Sequence, residues 1–136
     1  MEQDERTFGT DDLEWLLSQH FTVERQGDLV LVPFEEARIG AEVVQITEGS
    51  RLVNFRSLVA DNLAADPALF RWVAVEAGKH FVGALYARVG DEGQVDVWID
   101  HAVPATALDA DGARLVVGLI LGSTVTLRTA VRDLFS

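Results

Sequence analysis

The residues of this chain whose types suit acid–base or metal chemistry are His20, His80, His101, Asp96 and Asp100. The three histidines are widely spaced, and none belongs to an HxH or HExxH pair. Asp96 and Asp100 fall in Val95-Asp96-Val97-Trp98-Ile99-Asp100-His101, a segment that reads as a strand. Strand alternation puts Asp96, Trp98 and Asp100 on one face and His101 on the other. Two carboxylates on one face suit a cation, or an acid and base pair. The competing reading is the solvated outer face of a hairpin, and it is the expected one. A small-molecule sensor or enzyme with a pocket near Asp96, Asp100 and His101 is kept as the second reading. It requires those side chains to border a cavity.

Other catalytic signatures fail on their context. Gly122-Ser123 lacks the trailing glycine of a nucleophile elbow and falls inside a predicted helix. Gly118-x-x-x-Gly122-Ser123-Thr124 has glycines and hydroxyls but no lysine for phosphates, and GxGxxG does not occur. The chain is therefore expected not to be an enzyme, with no catalytic residue, cofactor or metal.

Composition narrows the partners. The 136 residues carry 22 acidic against 11 basic side chains, a formal charge of −11, and Lys79 is the only lysine. Neutralising phosphates needs clustered basic residues, so no nucleic-acid partner is expected. An acidic surface serves solubility, or receives a basic peptide or protein. A hydrophobic share of 49% is enough for one packed domain. Absence of cysteine removes disulfides and thiolate chemistry, and it fits a reducing compartment. Met1-Glu2-Gln3-Asp4-Glu5-Arg6 is unlike a secretory n-region, so a cytoplasmic location is the expectation.

Local patterns give the elements. Residues 1–9 read as a flexible lead-in, and 10–136 as a single domain. A helix starts near Thr10 or Asp11, where Asp11 and Glu14 have capping-box spacing, and Leu13, Leu16 and Leu17 form its stripe. It ends near His20. Strands are predicted at 21–25 and 29–32 around Gln26-Gly27-Asp28, then at 41–47 and 51–59 around Glu48-Gly49-Ser50. Pro33 limits the second strand or marks an edge. Asp66-Pro67 opens a helix that stops at Gly78. Strands at about 80–89 and 94–101 follow, and a long helix opens at Asp109 or Asp111 and runs to Leu134-Phe135. The fold class is α+β: an antiparallel sheet of about five strands, order α-β(3-4)-α-β-β-α, with helices mainly on one face.

Leu115-Val116-Val117-Gly118-Leu119-Ile120-Leu121-Gly122 is apolar all round. It is too short for a bilayer, which needs about 20 apolar residues, so no membrane association is expected. Such a helix must be covered on more than one side. Gly118 and Gly122 share a face and admit a close backbone, either the chain's own sheet or a second subunit. Val117, Gly118, Leu121, Gly122 and Trp98 are accordingly the expected partner or dimer contacts. Trp15 and Trp72 read as half-buried rim residues of their helices, and Trp98 as the tryptophan most exposed to a partner.

Several patterns together resemble the YbjN domain, a bacterial family related in fold to type III secretion chaperones. They are Val53-Asn54-Phe55-Arg56-Ser57-Leu58-Val59, Asp66-Pro67-Ala68-Leu69, Phe81-Val82-Gly83-Ala84-Leu85-Tyr86-Ala87, the strand 95–101, and Pro104-x-x-x-Leu108-Asp109 before the last helix. The resemblance spans about residues 10–135. It implies a non-enzymatic cytoplasmic α/β module that binds peptide segments of proteins, usually as a homodimer, with some members described as sensory transduction regulators. It transfers no catalytic residues. The reading from sequence is thus a peptide- or protein-binding module, chaperone-like or regulatory, forming a homodimer.

Overall fold

A computed structural model describes residues 8–35, 37–79 and 83–135. Its elements are helix α1 (Thr10–Ser18), strands β1 (Glu24–Gln26), β2 (Leu29–Phe34), β3 (Ala37–Thr47) and β4 (Ser50–Leu63), helix α2 (Pro67–Ala77), strands β5 (Ala84–Val89) and β6 (Val95–Pro104), and helix α3 (Ala110–Phe135). The strands form one antiparallel sheet in the order β1-β2-β3-β4-β6-β5. Four sequential strands lie side by side. After α2 the chain enters at the far edge as β5 and folds back as β6 between β5 and β4.

Alternation divides the sheet into a dry face and an open one. Val30, Val32, Ile39, Ala41, Val53, Phe55, Val59, Val95, Val97 and Ile99 are buried on the dry face. α3 covers β4 and β3, α1 packs on β2, β3 and α3, and α2 packs on β5. Trp72 of α2 meets Phe135 edge-on at 5.9 Å, which holds α2 on the same side as α3. All three helices therefore share one face, as the sequence pattern predicts. The sheet has six strands against the about five expected, and the strand predicted at 21–25 is reduced to a three-residue edge, β1.

Each helix boundary has a local cause. α1 starts at Thr10, as expected, but its capping box is shifted: Gly9 N–H donates to Asp12 Oδ2 at 2.8 Å, so Gly9 and Asp12 take the places expected of Asp11 and Glu14. Leu13 and Leu17 of the expected stripe are fully buried. Asp66 caps α2 by accepting from Ala68 N–H at 2.9 Å, with Pro67 at the first helical position. Asp109 caps α3 by accepting from Gly112 N–H at 2.6 Å. Gly27 has φ +60° in the two-residue turn between β1 and β2. Gly83, with φ +83°, enters β5 so close to β6 that a Cβ there would lie 2.7 Å from Ile99 Cγ2. The predicted strand at 80–89 starts at Ala84 in the described residues. His80, Phe81 and Val82 lie outside them, as does most of the 1–9 lead-in.

β3 and β4 run longer than the sequence suggests. β3 begins at Ala37 and pairs with β2 through Pro33↔Arg38, beyond the point where β1 has ended. Pro33 therefore sits where β2 is an edge, which its missing N–H tolerates. β4 runs past its last pairing with β3, Ile39↔Ser57, and continues on β6 to Leu63. Register shifts between Leu58 and Ala60, and between Ala60 and Leu63, mark two bulges. Arg128 of α3 donates to the carbonyls of Leu58 at 2.8 Å and Val59 at 3.1 Å, satisfying acceptors that β3 does not reach.

α3 is longer than the apolar run at its centre. It is the one described helix long and apolar enough to cross a membrane, with an 18-residue window of mean hydropathy 1.4, of which 33% is buried. Its inner side is committed to the sheet through Ala113, Val117, Ile120, Leu121, Thr124, Leu127 and Val131. Thr124 is the polar member of that stripe. Its hydroxyl donates to Ile120 O at 2.7 Å, so the 2.8 Å contact with Ser57 Oγ on β4 has Ser57 as donor. Both side chains are fully buried. Thr124→Val leaves the Ser57 hydroxyl without an acceptor in the core and is expected to cost about 1–3 kcal/mol in urea unfolding. Adding Ser57→Ala should recover part of that loss, and purely additive losses would refute a coupled pair.

Candidate functional site

Two surfaces are left uncovered by this architecture: the outer face of α3 and the open face of the sheet. The five expected contact residues divide between them and the core. Val117 is 0% exposed and Leu121 8%, and both pack inward with the chain's own core cluster. Gly118 and Gly122 point the other way, and a Cβ built at either meets nothing within 4 Å. The glycines therefore do not serve tight packing on the chain's own sheet. Around them Leu115 (63%), Leu119 (44%) and Val125 (46%) stand exposed. Exposed positions 115, 118, 122, 125 and 129 recur at alternating steps of three and four, the spacing of a helix-packing seam. Gly118 leaves a depression of about 570 Å³ bordered by Asp111, Arg114, Leu115 and Leu119.

The tryptophans depart from expectation. Trp15 is the exposed one, at 65%, on the outer side of α1. Trp72 is half-buried against Phe135, as expected for a rim residue. Trp98 is also half-buried, on the open face of the sheet, and its indole N–H is buried with no acceptor among the described residues. A buried donor left unpaired costs on the order of 1–3 kcal/mol.

Asp96, Trp98 and Asp100 do share a face, but the two carboxylates are occupied separately. Asp96 Oδ1 accepts from Asn62 N–H at 3.0 Å, where Asn62 adopts φ +55° in the second bulge of β4. It completes a bulge rather than lining a pocket. Asp100 takes a two-point contact from Arg56, Nε to Oδ1 at 2.9 Å and Nη2 to Oδ2 at 3.1 Å. Tyr86 O–H donates to the same Oδ1 at 3.1 Å. His101 lies on the dry face opposite Phe55, so the three candidates do not converge. His20 Nε2 lies 3.4 Å from Asp111 Oδ1, far along the chain from the others. Among the described residues no three His, Asp or Glu side chains gather as metal ligands.

A groove does exist beside this network. It has a volume of about 450 Å³ over the middle of the open face, with Leu29, Leu31, Gly40, Leu58 and Trp98 as its apolar lining and Arg38, Glu42, Asn54 and Arg56 as its polar lining. The Arg56 guanidinium lies 5.9 Å from the Trp98 ring centre and is held there by Asp100. Hydrogen bonding to Asp100 raises the Arg56 pKa above its ordinary value. Arg38 has no hydrogen-bond or ion-pair partner among the described residues. The sequence reading missed Arg38 and Arg56. The signal was the alternation Arg38-x-Gly40-x-Glu42 facing Asn54-x-Arg56-x-Leu58, which is obscured when the third strand is started only at 41.

One sheet with three helices on a single face makes this an α+β protein. No family model matches the sequence, and no curated protein matches it. The fold is nevertheless similar to a solved one, the crystal structure of YbjN from E. coli, a proposed transcription regulator. The TM-score is 0.66 at 8% identity, and the match covers 92% of each chain. The chain thus has a YbjN-like fold, the one its sequence resembles.

Tyr86 offers a direct probe of the Asp100 network. Burial raises its phenol pKa, and the neighbouring Asp100 carboxylate raises it further. A folded pKa above the unfolded one means stability is intact below about pH 10 and falls as pH rises through the folded value. Tyr86 is the only tyrosine, so ultraviolet titration reads it alone. The midpoint is expected above the ordinary 10.0 and should drop in Asp100→Asn. A midpoint unchanged by that substitution would disprove the coupling.

Proposed function

We propose that this chain is a non-catalytic protein-binding module, chaperone-like or regulatory, that self-associates through the outer face of α3. The observation that carries this reading is the glycine pair on an exposed apolar stripe. Glycine in a helix interior costs roughly 1 kcal/mol relative to alanine. No contact among the described residues uses Gly118 or Gly122, since a side chain at either would enter open space. Beside them stand three exposed large apolar side chains, which water does not favour as a contiguous patch. Both costs are offset if a second helix backbone approaches there, with Leu115, Leu119 and Val125 closing around it. A second copy of the chain meets that requirement, because the stripe is self-complementary about a two-fold axis.

A regulatory role is in keeping with the description of YbjN, and the charge of −11 directs such a role toward protein partners rather than nucleic-acid backbones. The binding is that of surfaces. The carboxylates that would serve chemistry are held in structural hydrogen bonds with Asn62, Arg56 and Tyr86.

Light scattering on the eluting protein tests the association. The expected mass is about twice 14.9 kDa, falling to the single-chain value in Leu119→Glu. Gly118→Leu separates close approach from simple greasiness. It should abolish the dimer while stabilising the monomer by up to about 1 kcal/mol, because a helix-favouring residue replaces glycine in open space. A wild-type chain that stays monomeric at high concentration would overturn the self-association.

A further inference from the structure

We propose that the groove on the open face of the sheet is a binding site for a small apolar monocarboxylate, independent of the α3 surface. The groove lies over β2, β3, β4 and β6, and its lining residues lie within the paired stretches of those strands or immediately beside them. It thus offers side chains rather than free backbone groups. An extended peptide gains its affinity on a sheet by main-chain pairing at an edge, which this floor does not provide. A compact ligand needs only shape, apolar area and one or two polar anchors, and about 450 Å³ falls in the range of small-molecule sites.

The charges select the ligand's sign and number of carboxylates. Arg56 is already held by Asp100, so it contributes the wall of the groove and not a free cation. Arg38 has no anionic partner among the described residues. Leu58 pairs with Trp98, and Arg38 adjoins Ile39, which pairs with Ser57, so Arg38 and Trp98 stand at one end of the groove. That end combines a guanidinium with the apolar indole of Trp98. A carboxylate placed there pairs with the Arg38 guanidinium. The apolar body then runs over Leu58, Leu31 and Leu29. At the other end Glu42 faces the groove, four residues from Arg38 along β3, and would repel a second carboxylate. Four strand residues span roughly 13 Å, which suits a chain of roughly ten carbons.

Decanoate is the probe, with decanol and decanedioate as its controls. Calorimetry of the full chain should show decanoate binding with a dissociation constant below about 1 mM, and each control weaker by about tenfold. Arg38→Gln, an exposed position whose change spares the core, should weaken decanoate about tenfold and leave decanol unaffected. Amide shifts on β2, β3, β4 and β6 should locate the ligand. Decanoate affinity unchanged in Arg38→Gln, or lost in Leu119→Glu instead, would overturn the site by placing the ligand elsewhere. A loss of dimer mass in Arg38→Gln would overturn it by showing that the face is covered by another copy. Failure of the α3 dimer would leave this result standing, since the two surfaces share no residues.

Discussion

The seating of α3 on β4 is the constraint on which the other contacts depend. β4 is the longest strand, flanked by β3 and β6, and α3 is the longest helix. Apolar burial drives them together but has no preferred direction, so it does not by itself fix where the helix stops along the strand. Two polar contacts do. Ser57 meets Thr124 in the middle of the interface, and Arg128 reaches the Leu58 and Val59 carbonyls one turn later. A slip of the helix would strand both sets of groups inside the protein, where unpaired polar atoms are costly. Once α3 is fixed, α1 has a wall to pack against, and Phe135 is in place for Trp72 of α2.

A sheet covered on one side by three helices has only two broad surfaces to offer, and here they differ in kind. The α3 surface is apolar, notched by glycine and poor in anchors, which suits another helix. The sheet surface mixes leucines with two arginines, a glutamate and an indole, which suits a discrete polar head on an apolar body. Asp100 connects the second surface to the fold's rigidity. By holding both Arg56 and Tyr86 it fixes side chains from β4, β5 and β6 in one arrangement.

Much of the fold was legible in the sequence because its signals are local. Asp66-Pro67 and Gly78 bracket α2, Gly27 marks a turn, and the alternation in 95–101 assigns faces correctly. What escaped was set by partners distant in sequence. β4 outruns its predicted end at 59 because Asn62 takes a left-handed turn paired to Asp96, 34 residues away. Likewise the inward or outward choice for Gly118 depends on which side of α3 meets β4. Periodicity alone left the run apolar all round and gave Val117 and Leu121 the same standing as the glycines. The site followed the same division: the face of Trp98 could be read, and the arginines around it could not.

Arg128 also occupies a stretch of strand edge that would otherwise be open to any passing chain. β4 extends beyond β3 from Leu58 to Leu63, and an uncovered edge recruits foreign strands. Its guard comes from α3, which follows every strand in the sequence. On the ribosome the whole sheet therefore emerges before the residue that seals it. For that interval the nascent chain carries an unsealed edge beside a half-built core, the condition under which newly made proteins misassemble. Arrival of the last helix both completes the core and closes that edge, so the moment of greatest vulnerability ends with the step that finishes folding.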